Sequence, residues 1–373
     1  MATATIDDKI EEVTKTLQTA TVKDDSETQI TVCSWNILGT GKVSDRKKVT
    51  TETFEYRFRD DGTSLGQSDI ICVQELMFAP SGQKAESYLP FAAEYGVEES
   101  QEPAGSNKHN AAMFYNKDKL QEVSESHLDK AYRLMNFKKE CYDHIKMGGD
   151  MKINDAIKEK LVAWGDSDEE KMMCKEVLRE CKEAGSPRGF AENIQRYMAP
   201  NETETKHPKD LLNRRMAVGV LKVKSIRDYY IIAISVHNYS GRSGTKAAAN
   251  FACLLFDFLA KLQHISLHHT IVVAGDFNLD IVACGELMKY LGSYNVPTYS
   301  LTSLRKTTID FIVVSKPPLN SKIDTHVKDI RAHDLQIPNE VEENIGAGIE
   351  NQKKITNHSP LSATIEVKVI VDE

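Results

Sequence analysis

Long apolar runs are missing from this sequence. No stretch of about 18 apolar residues, the length a helix needs to cross a bilayer, occurs in its 373 residues. An apolar targeting core is missing as well: residues 1–30 are acidic and polar, which argues against a secretory signal. None of the 7 cysteines (Cys33, Cys72, Cys141, Cys174, Cys181, Cys253, Cys284) forms a Cys-x-x-Cys pair. They read as reduced, mostly buried thiols rather than a disulfide framework or a zinc site. With 20 glycines and 11 prolines the chain is neither collagen-like nor low in complexity. An excess of positive charge is lacking too: 47 Lys and Arg face 55 Asp and Glu, giving net charge −8. That excludes a general polyanion binder and leaves room for a local phosphate site. No internal repeat is visible. These absences predict an intracellular protein, cytoplasmic or nuclear, whose Asn201, Asn238 and Asn357 sequons stay idle.

What is present is material for a core: 40% hydrophobic residues against 27% charged. Strands are predicted at Gln29–Leu38, Asp69–Leu76, Asn110–Lys117, Met216–Lys224, Tyr229–Asn238, His269–Ala274, Thr308–Ser315 and Ala363–Val371. Runs such as Ile231 to Val236 are almost continuously apolar, which suits strands covered on both faces. The last run alternates, which suits a half-buried strand. Phe251, Leu254, Leu255, Phe258 and Leu259 recur at helical spacing and predict a helix over Lys246–Gln263. Many strands with few long helices imply packed sheets with helices outside. We read an N-terminal arm, 1–27, with Ile10, Val13 and Leu17 at helical spacing. It is followed by one domain, 28–371. A stretch denser in charge, about 120–213, interrupts the domain. It shows helix-like spacing in Met151–Trp164 and Lys171–Lys182, and reads either as a lid or partner surface or as a solvated excursion. Residues 338–352 form a smaller acidic excursion.

Polar groups stand where the apolar runs stop. Trp35-Asn36 ends the first, Gln74-Glu75 the second and His237-Asn238 the fifth. Gly275-Asp276-Phe277-Asn278 follows the sixth, Asp310 opens the seventh, and Asn357-His358-Ser359-Pro360 precedes the last. A buried strand that stops at a carboxylate, amide or imidazole can deliver that group to a shared rim. Singly, each has an ordinary reading as a turn residue, a solvated end or a satisfied core histidine.

Taken in order, the series Trp-Asn, Gln-Glu, His, Gly-Asp-Phe-Asn, Ile-Asp-Phe and Asn-His-x-Pro resembles the endonuclease/exonuclease/phosphatase superfamily, to which deoxyribonuclease I belongs. The resemblance covers about 30–117 and 214–370. It implies an α/β fold, a four-layer sandwich of two mixed β-sheets face to face with outer helices, and a site at one rim. It implies a Mg²⁺-dependent phosphohydrolase, with Mn²⁺ as a substitute, and assigns Glu75, Asn36 and Asn357 to the metal. Mg²⁺ favours such oxygen ligands. Asp276 and Asn278 match the pair that activates and positions the attacking water. His358 matches the terminal histidine, as a proton acceptor or as an electrophile on the phosphoryl oxygen, and Asp310 the aspartate that orients it. His237 matches a phosphate-contacting histidine. Arg215, with Arg214 as rival, falls where a phosphate-binding arginine is common. Asn238, Tyr239 and Arg242 lie where nuclease branches contact the scissile strand.

The sequence departs from the family at Asn357, where the pattern has an aspartate. Losing one charged hydrogen bond costs about 1.5–3 kcal/mol, so weaker metal binding or slower turnover is expected. The substrate expected is nucleic acid or a nucleotide, cleaved by a phosphodiesterase or nuclease. The alternatives are a catalytically weak family member that acts by binding, with the insertion as a protein-partner surface, and a phosphatase of small phosphorylated metabolites or lipids.

Overall fold

The computed structural model describes residues 27–37, 54–55, 57, 61–76, 94–100, 110–123, 126–146, 175, 208–238, 244–265, 269–278, 298–302, 310–315, 322–333 and 358–370. Twelve strands form two six-stranded mixed sheets. The strands are β1 (Glu27–Asn36), β2 (Ile70–Leu76), β3 (Tyr95–Glu99), β4 (Asn110–Asn116), β5 (Leu120–Glu122), β6 (Met216–Val223), β7 (Tyr230–His237), β8 (His269–Asp276), β9 (Thr298–Thr302), β10 (Asp310–Ser315), β11 (Ile323–Ala332) and β12 (Leu361–Val369). The helices are α1 (Ser126–Lys146), α2 (Pro208–Asn213) and α3 (Gly244–Ile265), with a short 3-10 helix at Leu65–Gln67.

The two sheets repeat one plan. The first runs β11-β12-β1-β2-β4-β3 and the second β5-β6-β7-β8-β10-β9. In each, a central parallel pair, β1–β2 or β7–β8, is flanked by antiparallel neighbours. The final residue pairs of the parallel ladders are Asn36 with Gln74 and His237 with Asp276. One residue on, Ile37 N–H donates to Gln74 O at 3.1 Å and Asn238 N–H to Asp276 O at 2.8 Å. The repeat is one of topology, invisible in the sequence.

Strand alternation explains the layering. Ile30 and Val32 of β1, Ile70 and Cys72 of β2, Ile231 and Ala233 of β7 and Val272 and Ala274 of β8 meet between the sheets. The alternate residues Ile232, Ile234, Val236, Ile271 and Val273 face outward onto α1, α2 and α3. Those of the first sheet, Cys33, Trp35, Ile71 and Val73, pack on Phe54 and Leu65. Full burial of each such side chain contributes about 1.5–3 kcal/mol. The sandwich predicted from the sequence is therefore present, with a thick helical cover on one sheet and, among the described residues, a thinner one on the other.

Several sequence expectations shift. Predicted strand ends move by one or two residues, and β3, β5, β9 and β11 were not anticipated. The charged stretch about 120–213 begins and ends inside the fold. Residues 120–122 are β5, paired with β6, and Pro208–Asn213 is α2. Helix α1 buries Leu128, Ala131, Tyr132, Leu134, Met135 and Phe137. Its exposed charges hide an apolar stripe that packs on α3, where a buried Lys138–Asp257 ion pair of 2.7 Å joins the two helices. The helices expected over 151–164 and 171–182, the arm before residue 27 and the acidic loop 338–352 lie outside the described residues, Lys175 and its helical backbone apart.

Candidate active site

Alternation dictates which polar side chains meet. Continuing each inner face to its strand end places Asn36, Gln74, His237, Asp276 and Asp310 in one layer at one rim of the sandwich. All five are buried. Asn36 Nδ2 donates to Asp276 Oδ2 at 2.8 Å across the gap between the sheets and approaches Glu75 Oε1 at 3.4 Å.

Glu75 is out of phase. It follows Gln74, so a regular strand would send its side chain to the outer face. Instead the β2–β4 register shifts between Val73 and Leu76, and Glu75 takes φ of 58°. A bulge re-aims a strand end in this way. A non-glycine residue in this region costs about 1–3 kcal/mol. The result brings Glu75 Oε1 within 3.4 Å of His237 Nε2, on the opposite sheet.

On the second sheet the chain turns after the strand rather than within it. Gly275 lies so close to β7 that a Cβ would sit 2.0 Å from Val236 O, so glycine is required there. Asp276 Oδ1 accepts the Asn278 N–H at 2.8 Å, an Asx turn that fixes Asn278 at φ of 49°. Asn278 Nδ2 donates to Asn238 O at 3.0 Å. Asp310 pairs with Asp276 in the β8–β10 ladder. Its Oδ2 meets His358 Nδ1 at 2.7 Å, and its Oδ1 has no hydrogen-bond partner among the described residues. Trp35 Nε1 donates to His358 O at 3.1 Å, holding the backbone that carries the imidazole.

The electrostatics follow from burial and crowding. Burial, and then the charge of Asp310, push the Asp276 carboxyl up from 3.8 to about 6. For His358, burial pulls downward. The hydrogen bond and charge of Asp310, with Asp276 and Glu75, outweigh it and raise the imidazole above its ordinary 6.5. A carboxyl group and an imidazole, both raised from their ordinary values, thus lie near one another. Asp276, Asp310 and His358 also offer ligand atoms within 4.8 Å of one another. Because His358 Nδ1 is already engaged by Asp310, we read this trio as the acid–base cluster. The oxygens of Asn36 and Glu75, beside a carboxyl group raised by burial and then by the charge of Asp310, fit a hard divalent cation.

The structure therefore brings together Asn36, Glu75, His237, Asp276, Asn278, Asp310 and His358. Arg215 lies next to them through its backbone: its carbonyl accepts the His237 N–H at 2.8 Å, and its side chain is half-buried. Asn238 needs correction as a substrate contact. It is fully buried, and its Nδ2 donates to Ala248 O at 2.9 Å and Phe277 O at 2.8 Å, tying α3 to the loop after β8. Asn357, Tyr239 and Arg242 lie outside the described residues. Sequence reasoning assigned no role to Trp35, Ser34, Gln74 or Ser235. The first three sit beside the motif residues, and that adjacency was the available signal.

No protein-family model matches the chain. No curated protein matches it either. Solved structures do resemble it. One is an endonuclease/exonuclease/phosphatase from Bacteroides vulgatus, at 14% identity and TM-score 0.47, covering 91% of this chain and 98% of that one. Another is the human Nocturnin catalytic domain with bound sulfate, at 15% identity and TM-score 0.45, covering 90% and 93%. A third is TDP2 from D. rerio complexed with single-strand DNA product, at 11% identity and TM-score 0.44, covering 91% and 99%. The chemistry below rests on the side chains alone.

Proposed function

We propose that this protein is a Mg²⁺-dependent phosphohydrolase, a phosphodiesterase or nuclease acting on nucleic acid or a nucleotide. The observation that supports it is the convergence of Asn36 and Glu75 from one sheet with His237, Asp276 and the Asp310–His358 pair at one rim. Asn36 and Glu75, joined by Asn357, would hold the cation. Bound there, it supplies positive charge to the phosphoryl and leaving oxygens. Asp276, with its carboxyl near 6, accepts the proton of the attacking water, and the Asn278 amide orients that water. His358, held by Asp310, and His237 donate to the phosphoryl oxygens as charge develops in the transition state. Arg215, whose carbonyl accepts the His237 N–H, is the arginine we assign to the phosphate. Among the described residues, no helix is long and apolar enough to cross a membrane.

The test is hydrolysis by purified protein with Mg²⁺, with Mn²⁺ and with EDTA. The panel holds single- and double-stranded DNA, abasic DNA, RNA with an adenylate tail, and a soluble inositol phosphate. Glu75→Gln and His358→Ala should each lower kcat/KM at least about 100-fold. Metal-independent cleavage, or full activity in either variant, overturns the assignment. Silence of the wild type with turnover restored by Asn357→Asp would mean that the amide at 357 has disabled the site. Silence in both favours the binding-protein reading.

A further inference from the structure

Gln74 has no part in the reaction proposed above, yet it is completely buried one residue before Glu75. Its Nε2 donates to Ser235 Oγ at 3.1 Å and reaches Ser34 Oγ at 3.4 Å. Its Oε1 has no hydrogen-bond partner among the described residues. Ser34 and Ser235 occupy equivalent places in the two sheets, each two residues before the last residue of the first strand of its parallel pair. Ser34 therefore lies just below Asn36, and Ser235 just below His237. One amide ties three strands together within two residues of three site side chains.

The layers beneath explain why an amide stands here. Between the sheets, Val32, Ile70, Ala233 and Val272 hold the gap by packing, which is non-directional. At the rim the distance between sheets sets the chemistry, and a misplacement of about 1 Å can cost on the order of 100-fold in rate. A hydrogen bond fixes both distance and direction.

We infer that Gln74 is a positioning residue. Its bond to Ser235 sets the separation of the two sheets at the rim, and so the approach of Asn36 and Glu75 to His237 and Asp276. The inference deepens the proposed function and rests on it for its kinetic and metal readouts. Its structural readout is independent.

The experiment compares ¹⁵N-labelled wild type, Gln74→Met and Ser235→Ala. The first readout is the side-chain amide signal of Asn36, assigned by its loss in Asn36→Ser, because that NH₂ is held by Asp276 and Glu75. The second is Mn²⁺ affinity by calorimetry, and the third is kcat and KM on the substrate that the panel identifies. Both variants should shift or broaden the Asn36 signal. They should weaken Mn²⁺ binding about 10-fold and lower kcat at least about 10-fold, with KM changed less than about twofold. An unmoved Asn36 signal in folded variants that only melt earlier makes Gln74 a packing residue and overturns the inference. Should Gln74→Met not fold, Ser235→Ala decides on the same signal. A wild type that neither binds Mn²⁺ nor hydrolyses anything overturns the proposed function, while the Asn36 signal still decides the positioning role.

Discussion

The two sheets share strand order and polarity but deliver their site groups by different devices. The first bends a strand: the bulge at Glu75 turns an outward position inward. The second keeps its ladder regular through β8 and bends the chain afterwards, with Gly275 allowing close approach and Asn278 in a left-handed turn. Equivalent positions diverge accordingly. Where the second sheet has Asp276, a carboxylate that accepts from Asn36 and Asn278, the first has Gln74, a buried amide bonded to Ser235. Where the second has His237, the first has Asn36. The outer faces differ as well. Strand β8 is buried throughout beneath the helices, whereas β11 is largely half-exposed and irregular. One plan used twice thus gives, among the described residues, a helix-covered half and a half with less helical cover, and the candidate site draws residues from both.

The sharpest way to break this comparison is to exchange the two devices. Val73 and Gly275 occupy equivalent places, opposite Trp35 and Val236. Adding a methyl at Gly275 should therefore cost more than removing two at Val73. We expect Gly275→Ala to lose about 4 kcal/mol or more, or not to fold, and Val73→Ala to lose roughly 2 kcal/mol, both by urea titration. Equal losses would show that the close approach at Gly275 relaxes freely.

The outer faces can be contrasted through their ion pairs. Asp257→Ala strands a buried Lys138 and should cost about 3–5 kcal/mol. Lys368→Ala removes an exposed pair with Glu27 on the first sheet and should leave the urea midpoint unchanged.

A smaller effect comes from pH. The folded protein binds the protons of Asp276 and His358 more tightly than the unfolded chain does. Asp276 therefore contributes stability that is complete below 3.8 and is lost as pH rises through about 6. His358 contributes stability that is complete below 6.5 and is lost above that value. The melting point of metal-free protein should fall as pH rises from 3.8 through about 6, and fall further above 6.5. Asp276→Asn should flatten the lower part of that curve and His358→Gln the upper part. The rate should rise as Asp276 ionises and fall as His358 loses its proton.

The smallest effect tests the link from the first sheet to the histidine of the second. Trp35→Phe removes one neutral hydrogen bond to His358 O, worth about 1 kcal/mol, and part of a buried ring packed on Phe54, so kcat should fall roughly fivefold with a modest drop in melting point.

Legibility followed local regularity. Strands covered on both faces, such as β7 and β8, announce themselves as apolar runs, and α3 by its spacing. Strands β3, β5 and β9 are short, and β11 carries charges on a half-exposed, bulged edge, so hydrophobic pattern marks them weakly. Helix α1 was hidden because charged residues such as Lys130, Arg133 and Glu140 are interspersed with its apolar ones, while its buried stripe has meaning only against α3. Asn238 was misread because a polar residue after a strand resembles a ligand until the carbonyls it serves are known.

By itself, the sequence determined the apolar runs, the glycine at 275 and the period of two. That period puts Asn36, His237, Asp276 and Asp310 on inner faces at strand ends. Only the tertiary structure decided that Glu75 turns inward, that Asn238 serves α3, and that Asn36 meets Asp276, 240 positions away, at 2.8 Å. The reason is one of range. Side-chain alternation is a property of neighbouring peptide units. A bulge, a sheet-to-sheet gap and a helical cover arise from pairing between segments that only the folded chain brings together.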